Sequence, residues 1–162
     1  MGTCDSCFHR VNIISRPLAP FSVATATQPL RGRILAIDDE VRLLAAIKRI
    51  LADEDHDMVC TESAREALLM IESGERFDVI LWDSMMPTMT GIEFYETLLT
   101  QNPDLAQRVV FVTGGAINAK VDAFLKSLTN LRIEKPFEIG ILLETIQQVL
   151  VGQQNKARSQ LS

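Results

Sequence analysis

Apolar positions along this chain come in two alternating rhythms. Short, nearly continuous runs read as buried strands: Arg33-Ile34-Leu35-Ala36-Ile37, Met58-Val59-Cys60, Phe77 to Trp82, Val109 to Val112 and Leu131 to Ile133. Between them the apolar residues recur at three- and four-residue intervals, which is helical spacing. Val41 to Ala52 carries them at 41, 44, 45, 47, 50 and 51, and the helix after Ser63 carries Ala67, Leu68, Met70 and Ile71 and stops near Gly74. Ser63 with Glu66 three residues on predicts a capping box for that helix. Ile92 to Leu99 is a third helix, ended by Asn102-Pro103. Ala119 to Leu128 is a fourth, with Val121, Phe124, Leu125 and Leu128 on one side. Ile139 to Val151 is the fifth, with Leu142, Leu143, Ile146, Val149 and Leu150 inward. Five strands alternating with five helices predict an α/β domain whose parallel sheet is covered on both faces.

The flanks lack either rhythm. Residues 1–30, with prolines at 17, 20 and 29, read as a tail or linker; residues 31–152 read as the folded domain, and 153–162 as a polar C-terminal tail. A chain of 162 residues with 47% hydrophobic content is enough for one domain with a sizeable core. The net charge of -5 gives no basic footprint for nucleic acid. No apolar run is long enough for a membrane span, and the first 30 residues carry no signal-type stretch. Three cysteines are read as reduced thiols of a cytoplasmic protein. Cys4 and Cys7 with His9 look like half a zinc site, but the only further ligands are His56 and Cys60, so a closed tetrahedral site is not expected. The Met-Gly-x-x-x-Ser start is read as a chance match to the myristoylation pattern. Trp82 is expected in the core, and Met85, Met86 and Met89 over the core edge, or as a soft partner surface.

The chemistry lies where the strands end. Asp38-Asp39 follow the first strand, Asp83 the third, Thr113 the fourth and Lys135 the fifth. In an open parallel sheet the loops after the strands converge at the carboxyl edge. Clustered carboxylates repel unless a divalent cation sits among them, and oxygen-only ligands suit Mg²⁺. A lysine beside them supplies a fixed charge for an anion. Acids, a hard metal and a cation describe a place to move a phosphoryl group. Asp83 ends the central apolar run and has no adjacent acid, which makes it the nucleophile, while the Asp38-Asp39 pair holds the cation. Glu40 begins the first helix and serves its positive end. Lys135 pairs with Asp83 before transfer, and the Thr113 hydroxyl donates to a phosphoryl oxygen after it.

Four segments together resemble the receiver domain of two-component response regulators, of the chemotaxis-regulator type: Ile34-Leu35-Ala36-Ile37-Asp38-Asp39-Glu40, Asp83-Ser84-Met85-Met86-Pro87-Thr88-Met89-Thr90-Gly91, Phe111-Val112-Thr113-Gly114-Gly115 and Glu134-Lys135-Pro136-Phe137. The similarity runs from about Gly32 to Val151. The resemblance implies a flavodoxin-like (βα)5 three-layer sandwich with strand order 2-1-3-4-5. It implies Asp83 as phosphoacceptor, Thr113 as switch hydroxyl, Lys135 as the family's lysine and a cis bond before Pro136. It implies Mg²⁺ bound by Asp39 and Asp83, by Asp38 through water, and by the backbone carbonyl of Met85. The phosphoryl donor would be a sensor histidine kinase or phosphotransfer protein, and the output an unidentified protein partner. Dimerisation would use the face of the fourth helix, fifth strand and fifth helix.

Two departures stand out. The family's usual aromatic three residues before the lysine is Arg132 here, which places an arginine at the surface, or reaching to the phosphate or a partner. Met85 and Gly115 occupy the family's dephosphorylation-tuning positions and offer nothing to position water, so an ordinary or slow loss of phosphate is expected. The expected function is a non-enzymatic phosphorylation switch, with no membrane contact and no nucleic-acid output domain within its length, either stand-alone or part of a hybrid kinase. The alternative is a phosphorylation-independent interaction module with the same fold. A phosphatase of the aspartyl-phosphate type is disfavoured, because Met85 stands where its general acid/base would be.

Overall fold

A computed structural model describes residues 29–86, 91–114 and 119–160. Among these residues five strands form one parallel sheet: β1 (Arg33–Ile37), β2 (Asp57–Thr61), β3 (Val79–Asp83), β4 (Val109–Gly114) and β5 (Arg132–Lys135), in the order β2-β1-β3-β4-β5. Among the described residues six helices cover it: α1 (Val41–Asp53), α2 (Ala64–Glu72), α3 (Gly91–Gln101), α4 (Pro103–Ala106), α5 (Ala119–Ser127) and α6 (Ile139–Gln160). This is the expected flavodoxin-like fold.

The strands read as unbroken apolar runs because both faces are buried. Successive residues still alternate sides. Leu35, Ile37, Ile80, Trp82 and Phe111 face one core, closed by Ala67 and Leu68 of α2, Phe94 and Leu98 of α3 and Leu125 of α5. Ile34, Ala36, Val79, Leu81, Val110 and Val112 face the other, closed by Leu44 and Leu51 of α1 and Leu142, Ile146 and Leu150 of α6. Burying each of these larger side chains contributes about 1.5–3 kcal/mol, so the sheet and its strand ends form a rigid frame. Trp82 is fully buried, as expected, stacked on Phe94 with ring centroids 4.1 Å apart.

Several boundaries differ from the sequence reading. β3 begins at Val79, because Asp78 turns its carboxylate to the Arg33 N–H at 2.8 Å, and Phe77, though buried, lies under the Arg33 guanidinium. The Asn102-Pro103 stop also starts a sixth helix, the short turn α4, with the Asn102 side chain accepting from the Leu105 N–H at 3.1 Å. The predicted fourth and fifth helices are thus α5 and α6. The last helix, expected to close at Val151, continues to Gln160; residues 153–160 are helical, not a loose tail. Its polar extension is held by neighbours: Gln153 donates to the Asp78 carbonyl at 2.6 Å, and Lys156 reaches Gln107. The capping box is half formed. Ser63 Oγ accepts from the Glu66 N–H, while the Glu66 carboxylate takes the Thr61 hydroxyl instead of returning to Ser63.

Just before β1 the chain lies tightly on α6. The Gln147 side-chain amide accepts from the Leu30 N–H at 2.9 Å and donates to the Leu30 carbonyl at 2.7 Å. Gly32 passes so close to Leu150 that a Cβ there would sit 2.8 Å from a Leu150 methyl. His56 is buried, with Nδ1 accepting from the Gly32 N–H, and Cys60 is a half-buried free thiol on β2. Cys4, Cys7, His9, Met89 and Gly115, and nearly all of the proposed N-terminal linker, lie outside the described residues. Among the described residues no helix is long and apolar enough to cross a membrane.

Candidate functional site

The carboxyl edge gathers the residues that the sequence scattered. Asp38 leaves β1, Asp83 is the last residue of β3, Thr113 is near the end of β4, and Lys135 ends β5. The strand register fixes their heights: Asp83 pairs with Val112, Thr113 with Glu134 and Gly114 with Lys135. Asp38 and Asp83 are buried and Asp39 is exposed, and one carboxylate oxygen from each lies within 4.8 Å of the others.

Each buried acid is held at two points. Lys135 Nζ donates to Asp38 Oδ2 at 2.7 Å and to Asp83 Oδ2 at 2.9 Å. Asp38 Oδ1 accepts from the Glu40 N–H and Asp83 Oδ1 from the Met85 N–H, both at 2.8 Å. The backbone beneath is pinned as well: the Asp38 N–H donates to the Thr61 carbonyl, and both the N–H and the hydroxyl of Ser84 go to the Val112 carbonyl. Glu40 is the N-cap residue of α1, and its side chain makes no capping bond.

The charges do not balance. Three carboxylates and one ammonium leave a formal -2 (-3 + 1). Burial pushes the Asp38 carboxyl above its ordinary range, and the hydrogen bonds from Lys135 and Glu40 only partly offset this. Burial would lower Lys135, but its hydrogen bonds to Asp38 and Asp83 outweigh that and hold it raised. An excess of negative charge on hard oxygen donors at one strand edge fits a small divalent cation such as Mg²⁺. Among the described residues Asp38, Asp39 and Asp83 form a group that could hold one.

Thr113 is buried beside this cluster, with its hydroxyl 3.4 Å from the Ile133 carbonyl, a long bond that is easily exchanged. The side chain of Met85 is 44% exposed and brings no polar group to the acids. Lys135-Pro136 is a cis peptide. Arg132 is exposed, and its guanidinium goes to the Leu125 carbonyl at 2.5 Å, away from the acids. Sequence reasoning paired Lys135 with Asp83 and missed its equal hold on Asp38. It also missed Ser84, for which a short polar residue directly after the acid was the available signal. A cleft of about 350 Å³ between α4, the α5–β5 loop and α6 lies at the opposite edge and is remote from this chemistry.

Known proteins are similar to this chain in sequence and fold. Residues 34–147 match the family described as response regulator receiver domain. The hydrogenase transcriptional regulatory protein HoxA of Bradyrhizobium diazoefficiens is 30% identical over 122 residues, covering 75% of this chain and 24% of that protein. A chemotaxis protein CheY homolog of Campylobacter jejuni is 29% identical over 119 residues, covering 73% of this chain and 92% of that protein. The solved CheY-like receiver domain protein of Methanospirillum hungatei superposes with a TM-score of 0.70 at 31% identity, over 78% of this chain and 99% of that one. The response regulator TrrA of Thermotoga maritima, solved in complex with Mg²⁺-BeF, superposes with a TM-score of 0.61 at 25% identity, over 73% of this chain and 98% of that one. The chain spans about a quarter of the length of HoxA and of the Pseudomonas aeruginosa response regulator FleR.

Proposed function

The chain belongs to the response regulator receiver domain family, and from that premise we propose that it is the phosphoacceptor of a two-component relay, with Asp83 as the acceptor. The observation that carries this reading is Lys135 Nζ bridging Asp38 and Asp83 at 2.7 and 2.9 Å beneath an exposed third acid. A structural salt bridge needs one acid; here one cation serves two buried ones, and the third adds charge that only an external cation would offset.

In the proposed transfer, an Asp83 carboxylate oxygen attacks the phosphorus of a donor phosphohistidine. The new P–O bond forms as the P–N bond breaks, and the imidazole leaves with the bonding pair. Lys135 already touches Asp83 and moves with the negative charge to a phosphoryl oxygen. The Thr113 hydroxyl gives up its long bond to Ile133 and donates to another. When bound, Mg²⁺ supplies charge neutralisation on the transferring group; Asp38, Asp39 and Asp83 would hold it, with the Met85 carbonyl as a further ligand. The TrrA complex with Mg²⁺-BeF supports this assignment by similarity. The new charge at Asp83 then biases a two-state equilibrium of the partner-binding surface, the α5–β5–α6 face, which also serves for dimerisation. The donor would be a sensor histidine kinase or phosphotransfer protein in the cytoplasm, and the domain would extend from about residue 31 through α6. Met85 cannot place a water for hydrolysis, so the phosphoprotein is expected to persist well beyond seconds.

The test is intact-mass measurement after incubation with Mg²⁺ and acetyl phosphate. A single phosphoryl adduct is expected, absent in Asp83→Asn. No adduct at saturating donor would leave the second reading, an interaction module that works unphosphorylated. The exposed Arg132 at a position usually aromatic in the family is what favours that alternative.

A further inference from the structure

α5 is the least anchored of the longer helices. Of its nine residues only Leu125 is buried, and Val121 and Phe124 are partly buried against the core. The ring beneath it comes from α3, not from the neighbouring strand. Tyr95 meets Phe124 edge-on at 5.9 Å and Phe111 at 5.7 Å, and its hydroxyl donates to Asn130 Oδ1 at 3.0 Å. Asn130 is fixed in turn, its Nδ2 donating to the Ala106 and Val109 carbonyls. Tyr95 is therefore tied to the loop before β5 and is not free to follow a change at the carboxyl edge.

β5 reaches α5 by a different route. Ile133 points into the opposite core, so Arg132 and Glu134 lie on the α5 side of the strand. The Arg132 guanidinium donates to the Leu125 carbonyl at 2.5 Å, the backbone oxygen of the one buried α5 residue. That carbonyl also accepts from the Leu128 N–H at 3.2 Å, so Arg132 is its second donor, and a cation there meets the negative end of the helix dipole. The next residue along β5 is Ile133, whose carbonyl takes the Thr113 hydroxyl. The Thr113 hydroxyl, the β5 backbone, the Arg132 guanidinium and the α5 terminus are thus contiguous.

We propose that Arg132 is a polar latch that holds the C-terminal end of α5 on β5, and that loss of the Thr113–Ile133 hydrogen bond at the adjoining peptide loosens α5 through it. The second half rests on Asp83 phosphorylation as the event that draws Thr113 away; the first half does not. Arg132 acts here as a positioning residue, with no contact to the reacting atoms.

Amide hydrogen exchange of the intact chain, read by mass spectrometry on peptides covering 119–127, tests both halves. In the unmodified protein Arg132→Ala should speed α5 exchange about two- to fivefold, the scale of a lost cation at a helix C-terminus. Exchange over 109–114 should stay unchanged, which shows that the sheet is intact, and Arg132→Lys should restore part of the protection. With Mg²⁺ and acetyl phosphate, and the adduct confirmed by mass in each sample, wild-type α5 should exchange faster while Arg132→Ala shows no further increase. Equal α5 exchange in wild type and Arg132→Ala overturns the latch. A full phosphorylation-dependent increase that survives in Arg132→Ala overturns the coupling. Absence of any adduct in wild type would instead count against the phosphoacceptor reading, and the unmodified samples would still decide the latch.

Discussion

The two edges of one sheet treat polar groups in opposite ways. At the amino edge the partners are matched. The Gln147 amide satisfies both the N–H and the carbonyl of Leu30, Asp78 receives the Arg33 N–H, and the Asp78 carbonyl receives Gln153. At the carboxyl edge Asp38 and Asp83 compete for one Lys135, with Asp39 adding charge beside them. The same strands and the same two cores support both edges, so the difference is not one of packing. A matched edge stabilises the domain as it stands. An unmatched edge lowers stability in the free protein and leaves binding energy for a cation and a phosphoryl group, because an electrostatic site is useful only while its charges are unsatisfied.

The comparison is broken most strongly by disturbing the matched edge. Gly32→Ala would place a methyl 2.8 Å from a Leu150 methyl and 3.4 Å from Asp78 Cβ. Leu150 is buried and must repack, which should cost about 1–3 kcal/mol. Urea unfolding measures this, and phosphoryl adduct formation at a temperature where the variant is folded should match wild type. A loss of adduct would mean that the edges are not independent.

Gln147→Ala should cost less, about 1–2 kcal/mol, by stripping partners from the Leu30 N–H and carbonyl. Gln147→Glu sharpens the point. Its carboxylate can still accept from the Leu30 N–H but cannot donate to the carbonyl, so it should fall between Ala and wild type in the same unfolding assay. Equal stability of all three would show that the clamp contributes nothing.

The matched and unmatched edges were not equally legible in the sequence. The acids and the lysine could be read because each follows an apolar run, and a parallel sheet sends every such residue to one edge. The amino-edge contacts could not, because Gln147 and Gln153 look like ordinary polar positions of a helix, and only the packing of α6 shows which backbone they meet. The same limit explains α6 itself. Past Val151 its residues lose apolar periodicity, and the helix is held by Gln153 and Lys156 through partners distant in sequence. The turn α4 was hidden for a local reason: Asn102-Pro103 is both a stop for one helix and a cap with Pro at N1 for the next. At the site, Asp38, Asp83 and Lys135 were found, but which acid the lysine would choose depends on side-chain reach; it holds both.

The smallest effect expected is the one that tests the unmatched edge most directly. In chelator, Asp38→Asn should leave the protein as stable as wild type or more so at neutral pH, by about 1 kcal/mol, the low end for removing a buried charge, since Lys135 keeps Asp83 as its partner. The sign follows from the proton balance. Burial raises the folded-state Asp38 above its ordinary value of 3.8. Between 3.8 and that raised value the folded chain binds more protons than the unfolded one, so stability falls as pH rises through the window. Above the window the full cost of ionising Asp38 is present, and below it the cost is absent. The gap between Asp38→Asn and wild type should therefore close as pH drops through the window, as followed by thermal unfolding. Adding Mg²⁺ at neutral pH should invert the order, since wild type keeps three carboxylates for the cation and the variant two. Should Asp38→Asn prove clearly less stable than wild type in chelator, the Lys135–Asp38 contact would be a net stabiliser, and the two edges would be built on the same principle after all.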